Sequence, residues 1–156
     1  MSEPRVRQNY LAIVVAALAS FVIDALWYTL FLQPWLRGVS RTIPDLKATG
    51  VSEYWSYGIA LAMLIVMAAA ISCITQLTGS QTAARGIRVG FLLSIAFVVT
   101  TFATEYAFEW RPQLFAINAG YSLISMTLMG AIVGGWKKKT TAGVRSAEGR
   151  AAMAAK

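Results

Sequence analysis

Residues 10–32 read YLAIVVAALASFVIDALWYTLFL, an apolar run broken by one charged side chain, Asp24. At 1.5 Å of rise per residue, a helix of this length spans about 30 Å, the thickness of a bilayer's hydrocarbon core. Three more stretches have the same character, at about 54–78, 87–108 and 114–136. Runs such as ALAMLIVMAAAI, residues 60–71, lack the two-residue alternation of a barrel strand. With 57% hydrophobic and 13% charged residues, the chain reads as an all-α integral membrane protein, an antiparallel bundle of four transmembrane helices. Arg5 and Arg7 ahead of the first run raise the question of a cleavable signal, but that run exceeds an h-region and ends in LFLQPWLRG without a small-x-small site. It is read as a retained helix.

The net charge of +7 is uneven along the chain. Arg5, Arg7, Arg85, Arg88, Lys137, Lys138, Lys139, Arg145, Arg150 and Lys156 fall on one side of this topology, and Arg37, Arg41, Lys47 and Arg111 on the other. The positive-inside rule then places both termini in the cytoplasm of a bacterial inner-membrane protein. Topology and anionic lipid account for the basic balance, so no nucleic-acid partner is expected. The chain has no histidine and one cysteine, Cys73 in the second span, which removes internal disulfides, Cys/His metal sites and histidine-based nucleophile relays. No cofactor or metal is expected, and Cys73 reads as a small packing residue.

The organisation that follows is a short cytoplasmic lead at 1–9, the transmembrane domain at 10–136 and a flexible basic tail at 137–156. The loop at 33–53, with Pro34, Pro44 and Gly50, is expected outside as a mostly irregular segment with one short interfacial helix around Trp35, and as the best candidate for a lid. Short turns at 78–85 and at Glu109-Trp110-Arg111-Pro112 make the last three helices sequential neighbours. Gly86-x-x-x-Gly90 and Gly130-x-x-x-Gly134 permit close backbone approach near the cytoplasmic ends, within the bundle or between two copies. Trp27, Tyr28, Trp35, Tyr54, Trp55, Tyr57, Tyr106 and Trp110 crowd the outer side, as an aromatic belt or as the walls of a pocket.

Asp24 lies about 12 Å below the outer end of its helix, where an acid costs about 2.5–3.5 kcal/mol. Such a group persists where it faces protein or water, and Ser20, Asp24, Trp27, Tyr28 and Phe31 share one helical face. Glu105 on helix three, with Thr101 one turn deeper, and Asn118 on helix four, followed by Tyr121, Ser122 and Ser125, are expected at a similar level. No Lys or Arg lies mid-span to pair with Asp24 or Glu105. The place of Asp24 is then explained by hydrogen bonds to neighbours, by a hydrated vestibule or by a cationic ligand.

Two stretches carry a family resemblance. NYLAIVVAALASFVIDALWYTLFLQPW, residues 9–35, and FAINAGYSLISMTLMGAIVGGW, residues 115–136, resemble the opening and closing helices of the domain-of-unknown-function 1761 family of small bacterial membrane proteins. The resemblance implies a four-helix fold and a membrane address, with no established activity. In that family's pattern a small residue, usually glycine, stands where Asp24 does, an acid at Asn118 and a histidine at Ser122. This chain departs at all three, as if the acid had crossed one pocket from helix four to helix one.

Three functions remain in view. The first is a binding or translocation module whose outer-leaflet pocket, formed by Asp24, Trp27, Tyr28, Glu105, Asn118 and Tyr121, takes a small amphipathic or cationic molecule or a proton. The second is a structural or accessory subunit, as a homo-oligomer or beside a partner membrane protein, with lipids as its other neighbours. The third is a histidine-free enzyme using Asp24 and Glu105 on a lipid-like substrate.

Overall fold

The computed structural model describes residues 8–79 and 81–136, all of whose regular structure is helical. Arg5 and Arg7 of the expected lead and the expected basic tail at 137–156 lie outside the described residues. Helix α1, Tyr10–Leu30, starts at Asn9, whose side chain accepts the Ala12 amide at 3.4 Å. It ends two residues short of the expected boundary because the Pro34 ring would meet the Leu30 carbonyl four residues back. The chain restarts after Phe31 as α2, Leu32–Gly38.

The 33–53 loop is more regular than its prolines and glycine suggest. Besides α2 it forms α3, Ile43–Ala48, opened by a reciprocal capping box between Thr42 and Asp45 with Pro44 in the first turn. Thr42 donors hold the exposed Asp45 carboxyl below the ordinary carboxylate range. Left-handed residues flank this segment at Ser40, φ 54°, and Gly50, φ 68°.

Helix α4 covers Glu53–Leu77. Helix α5, Ala83–Leu93, begins four residues before the expected start because Thr82 caps the Arg85 amide. It passes through a π-helical turn, Ser94–Val99, into α6, Thr100–Glu109. Trp110, φ 48°, ends α6 in the left-handed region, and Pro112 opens α7, Pro112–Gly135. Among the described residues four helices are long and apolar enough to cross a bilayer, with 21, 25, 27 and 24 residues at Tyr10–Leu30, Glu53–Leu77, Ala83–Glu109 and Pro112–Gly135. The molecule has the make-up of a multi-pass membrane protein, and large apolar side chains such as Leu11, Val22, Val66, Phe91, Phe97 and Phe108 face outward along these spans.

Helix α7 is the centre of the bundle, buried along its whole length from Leu114 to Gly134 and touched by α1, α4 and α5–α6. One half of the molecule is closed. There Ile13, Ala16 and Ala17 of α1, Leu64, Ala68 and Ile71 of α4, and Met126, Met129 and Val133 of α7 form one apolar core. The two G-x-x-x-G stretches pack on each other: a methyl at Gly86 would overlap the Gly130 carbonyl, and one at Gly90 the Met126 carbonyl. These glycine faces are therefore occupied within the chain and present nothing to a second copy. Asn9 Nδ2 donates to the Trp136 carbonyl at 3.1 Å and Gln81 Nε2 to that of Val133, tying the ends together.

The other half is open. Helix α1 buries nothing after Ser20, α4 nothing before Leu64, and α6 nothing at all. At this end Arg111 joins two corners, pairing with Glu109 at 2.8 Å and donating to the Gly38 carbonyl that closes α2.

Candidate functional site

The open half holds a cavity of about 680 Å³ between α1, α2 and the start of α4. Phe21, Tyr28, Trp35 and Tyr57 supply aromatic walls, Ala25 and Leu32 aliphatic ones, and Asp24 the charge. The Phe21 and Tyr57 rings meet edge to face at 6.2 Å, Tyr28 and Trp35 at 6.0 Å, so α1 touches α4 and α2 through rings. Among the described residues no cationic side chain pairs with Asp24; the ion pair present is Arg111–Glu109.

Behind Asp24 runs a polar seam along α7. Tyr28 donates its hydroxyl to Asn118 Oδ1 at 2.8 Å, and Asn118 Nδ2 donates to the Tyr106 hydroxyl at 2.8 Å, so a buried amide bridges α1 and α6. The Tyr121 ring lies 5.6 Å from that of Tyr28, and its hydroxyl faces both the Asp24 carboxylate and the Ser125 hydroxyl. Ser125 is buried and its Oγ has no partner in hydrogen-bond geometry, while Ser20 donates to the Ser125 carbonyl at 3.5 Å. One turn along, Ser94 and Ser122 hydroxyls pair at 2.9 Å.

Trp27 takes a structural part. Its indole Nε1 donates to the Ile117 carbonyl at 3.0 Å, and its ring fills the notch left by Gly120, where a Cβ would come within 3.1 Å of it. The structure therefore brings Asp24, Trp27, Tyr28, Asn118 and Tyr121 onto one α1–α7 seam. Glu105 is not part of it. This acid is exposed on α6, and the tyrosine beside it in sequence, Tyr106, makes the contact to Asn118.

The π turn explains the shift. Gly86, Gly90, Ser94, Val98, Phe102 and Tyr106 turn inward at strict four-residue intervals. On an ideal α-helix each such step rotates the face by about 40°. The wider turn, in which the Thr100 amide bonds the Ile95 carbonyl five residues back, absorbs that drift. Sequence reasoning that kept an α-helical period through this point selects Thr101 and Glu105, both exposed. The strict four-residue spacing was the signal for Tyr106. Phe21, Trp35 and Tyr57 carry no spacing signal that unites them, because they come from three elements.

A family model matches residues 11–134, which reach into all four spans and leave out only Tyr10 and Gly135 at their outer limits. The chain belongs to the DUF1761 family, proteins of unknown function. No curated protein and no solved structure matches it. In this DUF1761 chain the carboxylate of α1 and the amide of α7 belong to one cluster, joined through Tyr28 and Tyr121. Among the described residues no group of His, Cys, Asp or Glu is placed to hold a metal ion.

Proposed function

We propose that this DUF1761 protein is an antiparallel four-helix bundle of the bacterial inner membrane, both termini cytoplasmic, that binds a small amphipathic cation in a pocket of the outer leaflet. The contact order supports the antiparallel reading: Gly86, Gly90 and Ser94 ascend in number where Gly130, Met126 and Ser122 descend. The split of ten basic residues against four between the two sides supports the orientation. The glycine end then lies toward the cytoplasm and the open end outward.

One observation carries the binding function. Asp24 opens onto an aromatic-walled cavity with no cationic partner among the described residues. A carboxylate and several ring faces around one space make a site for an organic cation, whose charge meets the acid and whose body stacks on the rings. The packed apolar core at the glycine end favours binding over passage in this conformation.

The accessory-subunit reading draws on the same seam, since Tyr28, Asn118, Tyr106, Ser94 and Ser122 spend their polar groups on holding helices together. It accounts for the side of Asp24 that meets Tyr121 and leaves the side that lines the cavity unexplained. A two-acid enzyme lacks its second acid at this cavity, because Glu105 is exposed on α6.

The test is tetramethylammonium binding to the full chain in lipid nanodiscs, read by tryptophan fluorescence. Asp24→Asn should weaken binding at least tenfold while leaving expression and helicity intact. Wild-type affinity in that variant would refute the proposal.

A further inference from the structure

A second cavity of about 710 Å³ adjoins the first, and the two share Leu32 and Tyr57 as common walls. Its other lining comes from α3, the link after it and the start of α4: Ile43, Leu46 and Val51 are apolar, Lys47 and Glu53 polar. Helix α3 buries none of its residues, and its apolar side chains Ile43 and Leu46 are 43% and 36% exposed while lining this space. Ser40 and Gly50, both left-handed, bracket the segment.

We propose that α3 is the outer half of the Asp24 site, and that the ligand is an elongated organic cation whose apolar chain passes Tyr57 and Leu32 to lie under Ile43 and Leu46. The proposal rests on the cation-binding reading and names its substrate class. Charge complementarity fixes one end, because the carboxylate is in the first cavity and the second carries both Lys47 and Glu53, which together favour neither sign. The apolar face of α3, exposed and without a packing partner among the described residues, fixes the other. An aliphatic chain there removes apolar surface from water on both sides.

The alternative occupant of that face is the membrane surface itself, with α3 lying on lipid whether or not ligand is present. A homologous series separates the two. Binding of tetramethylammonium and of decyltrimethylammonium is measured on the full chain in nanodiscs, corrected with empty nanodiscs, for wild type, Ile43→Ser/Leu46→Ser and Asp24→Asn. The serine pair alters exposed positions only, so the fold is retained.

The expected result is that the serine pair weakens the long cation at least tenfold and the short one less than twofold, and that the long cation slows amide exchange across α3. Equal affinities of the serine pair and wild type for the long cation, or exchange in α3 indifferent to ligand, would overturn the role of α3 and leave the Asp24 site standing. Retention of both affinities in Asp24→Asn would instead overturn the cation-binding reading itself.

Discussion

Replacing Gly86 by alanine should destabilise the bundle, and replacing Gly58 by alanine should not. Both glycines are inside helices, so each substitution gains about 1 kcal/mol of helix propensity in the absence of contacts. At Gly58 the new methyl meets nothing within 4 Å, and the gain stands. At Gly86 it overlaps the Gly130 carbonyl and lies 3.1 Å from Gly134 Cα. These are backbone atoms, so no rotamer change relieves the overlap and α5 must retreat from α7. The same movement loosens the Gly90–Met126 approach one turn away. Overpacking of a well-filled interior costs about 1–3 kcal/mol, and a clash that separates two backbones belongs at the upper end. Net of propensity, Gly86→Ala should lose about 1–2 kcal/mol while Gly58→Ala gains up to about 1 kcal/mol. The assay is loss of helical circular dichroism against rising sodium dodecyl sulfate in mixed micelles, with both variants and wild type titrated together. Opposite signs are expected. A Gly86→Ala protein as stable as Gly58→Ala would refute the close glycine crossing as the closure of that half.

Asn118→Leu removes the acceptor of Tyr28 and the donor to Tyr106 at once, leaving two tyrosine hydroxyls without their buried partner. A loss of about 1–3 kcal/mol in the same titration is expected, and Tyr28→Phe in that background should then cost less than it does alone. Deleting Ala96, an exposed residue inside the π turn, should convert Ser94–Val99 to α-helix and be tolerated. With one residue removed, Ser94, Val98, Phe102 and Tyr106 fall at i, i+3, i+7 and i+11, the spacing of one α-helical face. Retained stability and an intact Ser94–Ser122 pair, read by the cost of Ser122→Ala, support this reading; collapse of the fold would refute it.

The same π turn marks where sequence reasoning on this chain stops working. Spans are legible because hydrocarbon demands about 20 uncharged residues in a row, and no tertiary contact alters that demand. Asp24 is legible for the same reason, as the one acid in the first run. On α1 the expected face at Ser20, Asp24, Trp27, Tyr28 and Phe31 turns toward neighbours because the helix is regular to Leu30. On the third span the period changes at the π turn, and one residue of slip exchanges Glu105 for Tyr106. The cavity walls were unreadable for another reason. Phe21, Trp35 and Tyr57 come from three elements and meet only in the tertiary fold, where α4 buries nothing before Leu64 and the apolar core closes the opposite end.

That asymmetry connects the fold to the candidate function. Small residues gather at one end, Ala16, Ala17, Ala68, Gly86, Gly90, Gly130 and Gly134, and let four helices converge there. At the other end Phe21, Trp27, Tyr28, Trp35 and Tyr57 are too large for the same approach, so the helices part and aromatic rings span the gap. The polar groups on the α7 seam then find partners across the remaining contacts, Tyr28 with Asn118, Asn118 with Tyr106 and Ser94 with Ser122. Asp24 stands at the boundary between the two regimes, its carboxylate facing Tyr121 on one side and the cavity on the other. Asn118, Ser94 and Ser122 spend their polar groups inside the bundle, whereas Asp24 meets Tyr121 on one side only and keeps the other toward the cavity. The aromatic parting of the helices and the open face of Asp24 give a space with one charge and several ring faces, which is what an amphipathic cation requires.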